Sequence, residues 1–150
     1  METLAEPKDK TILIVDDDES VLELLRFIVG KEGFQCLSAE DGVKAIEAVG
    51  AKHPDLVLLD LMLPRYGGFE VLRRLQMGET SGIPIVVITG RYTDRSTVEM
   101  IRNESNVAEF LEKPIRAATL GPLLHRILHT RSPDMKRAAD GGENSLWQNP

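Results

Sequence analysis

Cysteine is nearly missing from this chain of 150 residues: Cys36 is the only one. It cannot close an intramolecular disulfide or build a thiolate metal cluster, and it fits a reducing compartment. Its reading is that of a small apolar residue filling a strand position. Positive charge is also short, since 18 Lys and Arg stand against 24 Asp and Glu, a formal net charge of −6. A net acidic chain gains nothing from polyanions, which argues against nucleic acid and against a membrane surface as partners. No apolar run approaches the roughly 18 residues of a membrane helix. Residues 1–10 are polar and lack the apolar stretch of a secretory signal. A cytoplasmic location is therefore expected. No P-loop, Gly-x-Gly-x-x-Gly or Gly-x-Ser-x-Gly motif occurs.

What is present is an ordinary globular composition, 42% hydrophobic and 28% charged. A chain this long forms one domain that buries roughly 68–70% of its unfolded surface. Its clearest signal is a set of short apolar runs. Ile12-Leu13-Ile14-Val15 is followed by Asp16, Leu56-Val57-Leu58-Leu59 by Asp60, and Ile85-Val86-Val87-Ile88 by Thr89. Runs of about four branched residues suggest strands buried on both faces of a parallel sheet. Phe34 to Ala39, interrupted by Gln35 and Ser38, reads as an edge strand, and Val107 to Glu112 as a fifth.

Helical spacing fills the gaps. Val21, Leu24, Leu25 and Ile28 recur at i, i+3, i+4, i+7, with Gly33 as a stop. Val43, Ile46 and Val49 follow the same period, as do Val71, Leu72 and Leu75 after Gly67-Gly68, and Leu120 to Leu128. Thr93 to Asn103 is a poorer helix, expected to be loosely held, with Val98, Met100 and Ile101 as its large apolar residues. Five alternations of strand and helix argue a doubly wound α/β fold. Residues 1–10 read as an N-terminal extension, 11–130 as the folded domain, and 131–150 as a mobile tail too thin in apolar residues to pack.

In open α/β sheets ligands bind beyond the carboxyl ends of strands. Asp16, Asp60 and Thr89 close the three central strands and Lys113 follows the fifth. Two carboxylates about 4 Å apart repel by roughly 4 kcal/mol at an effective dielectric near 20. If Asp16, Asp17 and Asp60 converge, a bound cation must neutralise them or one must stay protonated. Oxygen donors without Cys or His suit Mg²⁺, which often works with a phosphoryl group. Asp18, just before the periodic run, reads as a helix cap. A carboxylate beside a metal, a lysine and a hydroxyl is arranged to attack phosphorus and become an acyl phosphate. Charge alone leaves open which aspartate attacks.

From about Lys10 to Thr130 the chain resembles the receiver domain of two-component response regulators, in the single-domain, chemotaxis-regulator-like form. Four stretches carry the resemblance: Ile12 to Glu19, Pro54 to Pro64, Val87 to Gly90, and Phe110-Leu111-Glu112-Lys113-Pro114. It implies a flavodoxin-like sheet of order 2-1-3-4-5 with five flanking helices. It further implies that Asp60 accepts phosphate from a histidine kinase or histidine phosphotransfer protein. Asp17, Asp60 and the Met62 carbonyl would bind Mg²⁺ directly, with Asp16 acting mainly through water. Thr89, Gly90 and Lys113 would hold the phosphoryl oxygens. Thr89 and Phe110 would form the switch, and Pro114 would follow a cis peptide. Met62 and Arg91 lie where the family tunes the phosphoryl lifetime. The output would be a downstream protein bound at the surface of the fourth helix, fifth strand and fifth helix, on which two copies could also pair. Residues 131–150 are too few for an effector module, and the chain reads as a signalling protein rather than a dedicated enzyme. Gly90 in place of the usual alanine, Asn106-Val107 in place of a common Gly-Ala, and a slightly long stretch from Thr89 to Lys113 depart from the family.

Rival readings are weaker. Asp16 and Asp18 satisfy the Asp-x-Asp spacing of a haloacid-dehalogenase-like phosphatase with Asp16 as nucleophile. A flavodoxin-like flavin carrier would need a Ser-, Thr- and Gly-rich loop where this one is acidic, and a third reading keeps the receiver fold as a scaffold alone. His125 and His129, four apart, lack a third ligand and read as a solvated helix flank. Trp147 reads as a stray terminal aromatic.

Overall fold

The computed structural model describes residues 3–65, 67–90 and 94–133. The apolar runs become β1 (Thr11–Val15), β3 (Leu56–Asp60) and β4 (Ile85–Thr89), with β2 (Gln35–Ala39) and β5 (Val107–Glu112) at the edges. All five are parallel, in the order β2-β1-β3-β4-β5. Parallel neighbours need crossovers, supplied by α1 (Glu19–Lys31), α2 (Gly42–Lys52), α3 (Gly68–Leu75) and α4 (Arg95–Arg102); α5 (Ala117–Leu128) follows β5.

Alternation along each strand sorts the core into two layers. Ile12, Ile14, Leu58, Val86 and Ile88 pack against Leu22, Leu25 and Val29 of α1 and Leu120 and Leu124 of α5. Leu13, Val15, Val57, Leu59 and Val87 face Ala45 and Val49 of α2, Val71 and Leu72 of α3, and Ile101 of α4. Every residue of β3 and β4 is buried, and each such Leu or Ile stabilises the fold by about 1.5–3 kcal/mol. The exposed positions on β2 explain its polar interruptions. Cys36 lies there, half-buried, its thiol 3.8 Å from the Leu37 carbonyl.

Helix ends follow their local chemistry. Asp18, Asp41 and Asp94 cap α1, α2 and α4 through main-chain N–H groups. The Ser96 hydroxyl first, then the N–H and hydroxyl of Thr97, hold the exposed Asp94 carboxyl down to about 2. α4 buries Ile101 alone; the segment from Arg91 to Thr93, where the sequence placed its start, lies outside the described residues.

Two features depart from the sequence reading. Residues before β1 pair with the segment that follows α5: Ala5 N–H donates to the His129 carbonyl at 2.9 Å, and Arg131 N–H donates to the Ala5 carbonyl at 2.9 Å. His125 is not a solvated flank but 6% exposed. Its Nε2 lies 2.8 Å from Glu32 Oε1, its Nδ1 lies 2.7 Å from the Thr130 hydroxyl, and its ring stacks on Phe34 at 4.9 Å. Gly121 leaves room at this junction, where a Cβ would meet the Glu32 carboxylate at 2.9 Å in its present position. His129 is exposed and ends α5 in the left-handed region.

Gly68, at the first turn of α3, packs on the chain that leaves β3. A Cβ there would lie 2.6 Å from Leu61 Cα and 2.7 Å from the Asp60 carbonyl oxygen. Neither backbone atom can swing aside. Gly68→Ala is expected to cost about 1–3 kcal/mol, read as a lower denaturation midpoint at unchanged slope in urea.

Candidate functional site

Register brings the polar groups together. Val15 pairs with Leu59, so Asp16 and Asp60 leave β1 and β3 side by side. Thr89 pairs with Glu112, and the next N–H, that of Lys113, donates to the Thr89 carbonyl at 2.7 Å. Carboxylate oxygens of Asp16, Asp17 and Asp60 lie within 4.8 Å of one another. Asp16 and Asp60 are 1% and 4% exposed, while Asp17 faces solvent. The Lys113 ammonium reaches between them, 3.1 Å from Asp16 Oδ2 and 3.4 Å from Asp60 Oδ2.

The remaining oxygens are held by main chain. Asp60 Oδ1 accepts from Met62 N–H at 3.0 Å, and Asp16 Oδ1 from Asp18 N–H at 2.9 Å. Asp16 Oδ2, fully buried, has no partner but the Lys113 ammonium, an ionic neighbour at 3.1 Å that it shares with Asp60. One ammonium cannot balance three carboxylates. Burial, and after it the charge of Asp16, raises the Asp60 carboxyl above its ordinary range against the opposing pull of Met62 N–H and Lys113. For Lys113 burial pulls down, but the carboxylates of Asp16 and Asp60 outweigh it and raise the ammonium. An acidic, all-oxygen cluster of three carboxylates sharing one ammonium fits a hard cation such as Mg²⁺.

Thr89 is buried at the end of β4 and Gly90 is exposed just after it. The Met62 side chain is 74% exposed, so any role in the cluster falls to its main chain. Phe110 already lies inward, 9% exposed, with the Arg102 guanidinium carbon 5.7 Å from its ring centroid. The Lys113-Pro114 peptide is cis. Asp18 turns its carboxylate to the Ser20 N–H and hydroxyl. The phosphatase alternative loses its second aspartate by that turn. Arg91 and Trp147 fall outside the described residues.

The roles of two groups were not read from the sequence. Asn106 is buried where a small residue was the family expectation; its Nδ2 donates to the Leu72 carbonyl and its Oδ1 accepts from Gln76, both at 3.1 Å, tying β5 to α3. Asp41 and Arg65 form an ion pair across two connections. Asp41 had a signal, an acidic residue before a helical period; Arg65 had none.

The raised Asp60 carboxyl fixes a sign. Its charged form is disfavoured in the folded state, so ionised Asp60 subtracts stability above its folded pKa, and protonation restores it as pH falls. Asp60→Asn is expected to raise stability at pH 7 by about 1 kcal/mol, or roughly 3 °C in the melting temperature. Melts without divalent ions should show the gap closing toward pH 4.

Residues 12–125 match the response regulator receiver domain. The DNA-binding response regulator MtrA of Mycolicibacterium paratuberculosis is 43% identical over 110 residues, covering 73% of this chain and 47% of that protein. The chain thus spans about half the length of such relatives. A putative response regulator from Chloroflexus aurantiacus superposes with a TM-score of 0.72 at 26% identity, over 79% of this chain and 97% of that one. The receiver domain of the sensor histidine kinase PA1611 from Pseudomonas aeruginosa, described with magnesium in its active-site cleft, gives 0.70 at 22% identity over 78% and 95%; at that identity the likeness is one of fold. The family match overturns the phosphatase alternative, and its extent agrees with the strand order and the acidic cleft: this chain belongs to the response regulator receiver domain family.

Proposed function

We propose that the chain is a phosphoacceptor in which Asp60 takes a phosphoryl group from a histidine kinase or histidine phosphotransfer protein. The observation that carries this reading is the Asp60 carboxylate at a strand end, flanked by Asp16, Asp17 and the Lys113 ammonium, in a chain of receiver sequence. Asp16, Asp17, Asp60 and the Met62 carbonyl would hold Mg²⁺, which when bound offsets and orients charge on the transferring group.

The chain's own residues do the rest. Asp60 forms an O–P bond as the donor's P–N bond breaks, and the imidazole leaves with the electron pair. Met62 N–H holds one Asp60 oxygen in place. Lys113 pairs with charge that develops on the phosphoryl oxygens. The Thr89 hydroxyl and Gly90 N–H supply further donors. As Thr89 is drawn toward the phosphoryl group, Phe110 beneath Arg102 responds, and the surface of α4, β5 and α5 changes. Slow hydrolysis of the acyl phosphate returns Asp60, an intrinsic activity and not that of a dedicated enzyme.

The changed face would bind a downstream protein or a second copy of the chain, in the cytoplasm. DNA binding in the description of MtrA belongs to that protein, of which this chain covers 47%. The excess of acidic groups in these 150 residues supports a protein partner here. Among the described residues no helix is long and apolar enough to cross a membrane.

With acetyl phosphate as donor, the wild type should gain one hydroxylamine-labile phosphoryl group in Mg²⁺ and none in EDTA. Asp60→Asn should gain none. Lys113→Ala should slow the step by about 10²-fold or more. Full labelling of Asp60→Asn would refute the assignment.

A further inference from the structure

The connection between β3 and α3 holds a residue whose backbone is at odds with its side chain. Arg65 has φ 62°, in the left-handed region that glycine occupies without strain. Its side chain, 60% exposed, brings a charge to the loop: Arg65 Nη1 lies 3.6 Å from Asp41 Oδ2.

Asp41 sits in the connection between β2 and α2, its side chain only 10% exposed. One oxygen is spent on capping α2, accepting from Lys44 N–H at 2.8 Å. The other, poorly hydrated, faces the guanidinium. The pair therefore joins two neighbouring connections at the carboxyl end of the sheet.

The Arg65 connection begins at the acceptor itself. Met62 N–H donates to Asp60 Oδ1 at 3.0 Å. At the root of the connection Gly68 N–H donates to the Leu61 carbonyl at 3.0 Å, and Leu63 packs on the core. Between these points the Met62 side chain is exposed and adds no packing of its own, and the connection runs on outward to Arg65. Arg65 is the tie on that outer part.

We infer that Arg65 and Asp41 clamp the connection carrying Met62, and so position the main-chain groups that orient the Asp60 carboxylate. The inference rests on the phosphoacceptor reading above. Arg65 touches no reacting atom; it is a positioning residue acting through Met62. Its distinctive consequence is a weaker response to the divalent ion in a protein whose fold is intact.

The full chain serves for the test. Mg²⁺ is titrated while the amide resonances of Met62 and Asp60 are followed by NMR, and labelling by acetyl phosphate is timed in parallel. Arg65→Gly deletes the guanidinium while relieving the backbone. Asp41→Asn removes the charge but keeps a good helix cap. Each is expected to weaken Mg²⁺ binding by about three- to tenfold, less than the roughly 10–100-fold that residues bonded directly to metal ligands contribute, because Arg65 acts at one further remove. The double variant should be no worse than the weaker single one, and Arg65→Lys should recover most of the affinity. Wild-type Mg²⁺ affinity in both Arg65→Gly and Asp41→Asn, or losses that add in the double variant, would overturn the clamp and leave the phosphoacceptor reading standing. A wild-type chain indifferent to Mg²⁺ and to acetyl phosphate would remove that reading, and the clamp with it.

Discussion

One ammonium set between two buried carboxylates governs the rest of this molecule. Asp16 and Asp60 leave adjacent strands with almost no access to water, and Lys113 stands within 3.4 Å of both. Carboxylates taken out of water cost several kcal/mol each unless paired and hydrogen-bonded. The pairing is incomplete, since one ammonium serves both carboxylates and the Asp60 carboxyl is pushed upward. A site left short of positive charge at the end of a rigid sheet is arranged for a charged visitor.

The sheet makes that shortage tolerable. Its central strands are apolar on both faces and packed by helices on both sides, so the strand ends are fixed by far more burial than the carboxylates can undo. Parallel pairing puts all five carboxyl ends on one edge. Loops at that edge can then carry strain without loosening the frame, as Arg65 does in its left-handed conformation.

Much of this was readable from the residues. Branched runs ending in Asp16, Asp60 and Thr89 disclosed both strands and cleft, because burial on two faces leaves a continuous apolar signature and a parallel sheet places the following residue at the ligand edge. Asp18 was legible as a cap from its place before a helical period. His125 was not: its ring is met by Phe34 and by Glu32, the latter 93 positions away in the chain, and helical spacing carries no record of such neighbours. Asn106 was hidden in the same way, since a polar residue before a strand reads as a turn until its partners on α3 are seen. Arg65 had neither period nor pair within reach of the local sequence.

The pairing of Ala5 with Thr130 and Arg131 has a practical outcome. It lies where the strands begin, whereas the acidic cleft lies where they finish. An anchor attached beside residue 4 or residue 132 would emerge from a common end and leave the cleft facing outward. Tethering to a bead, a sensor chip or a fusion partner through either segment should therefore cost the domain none of its access.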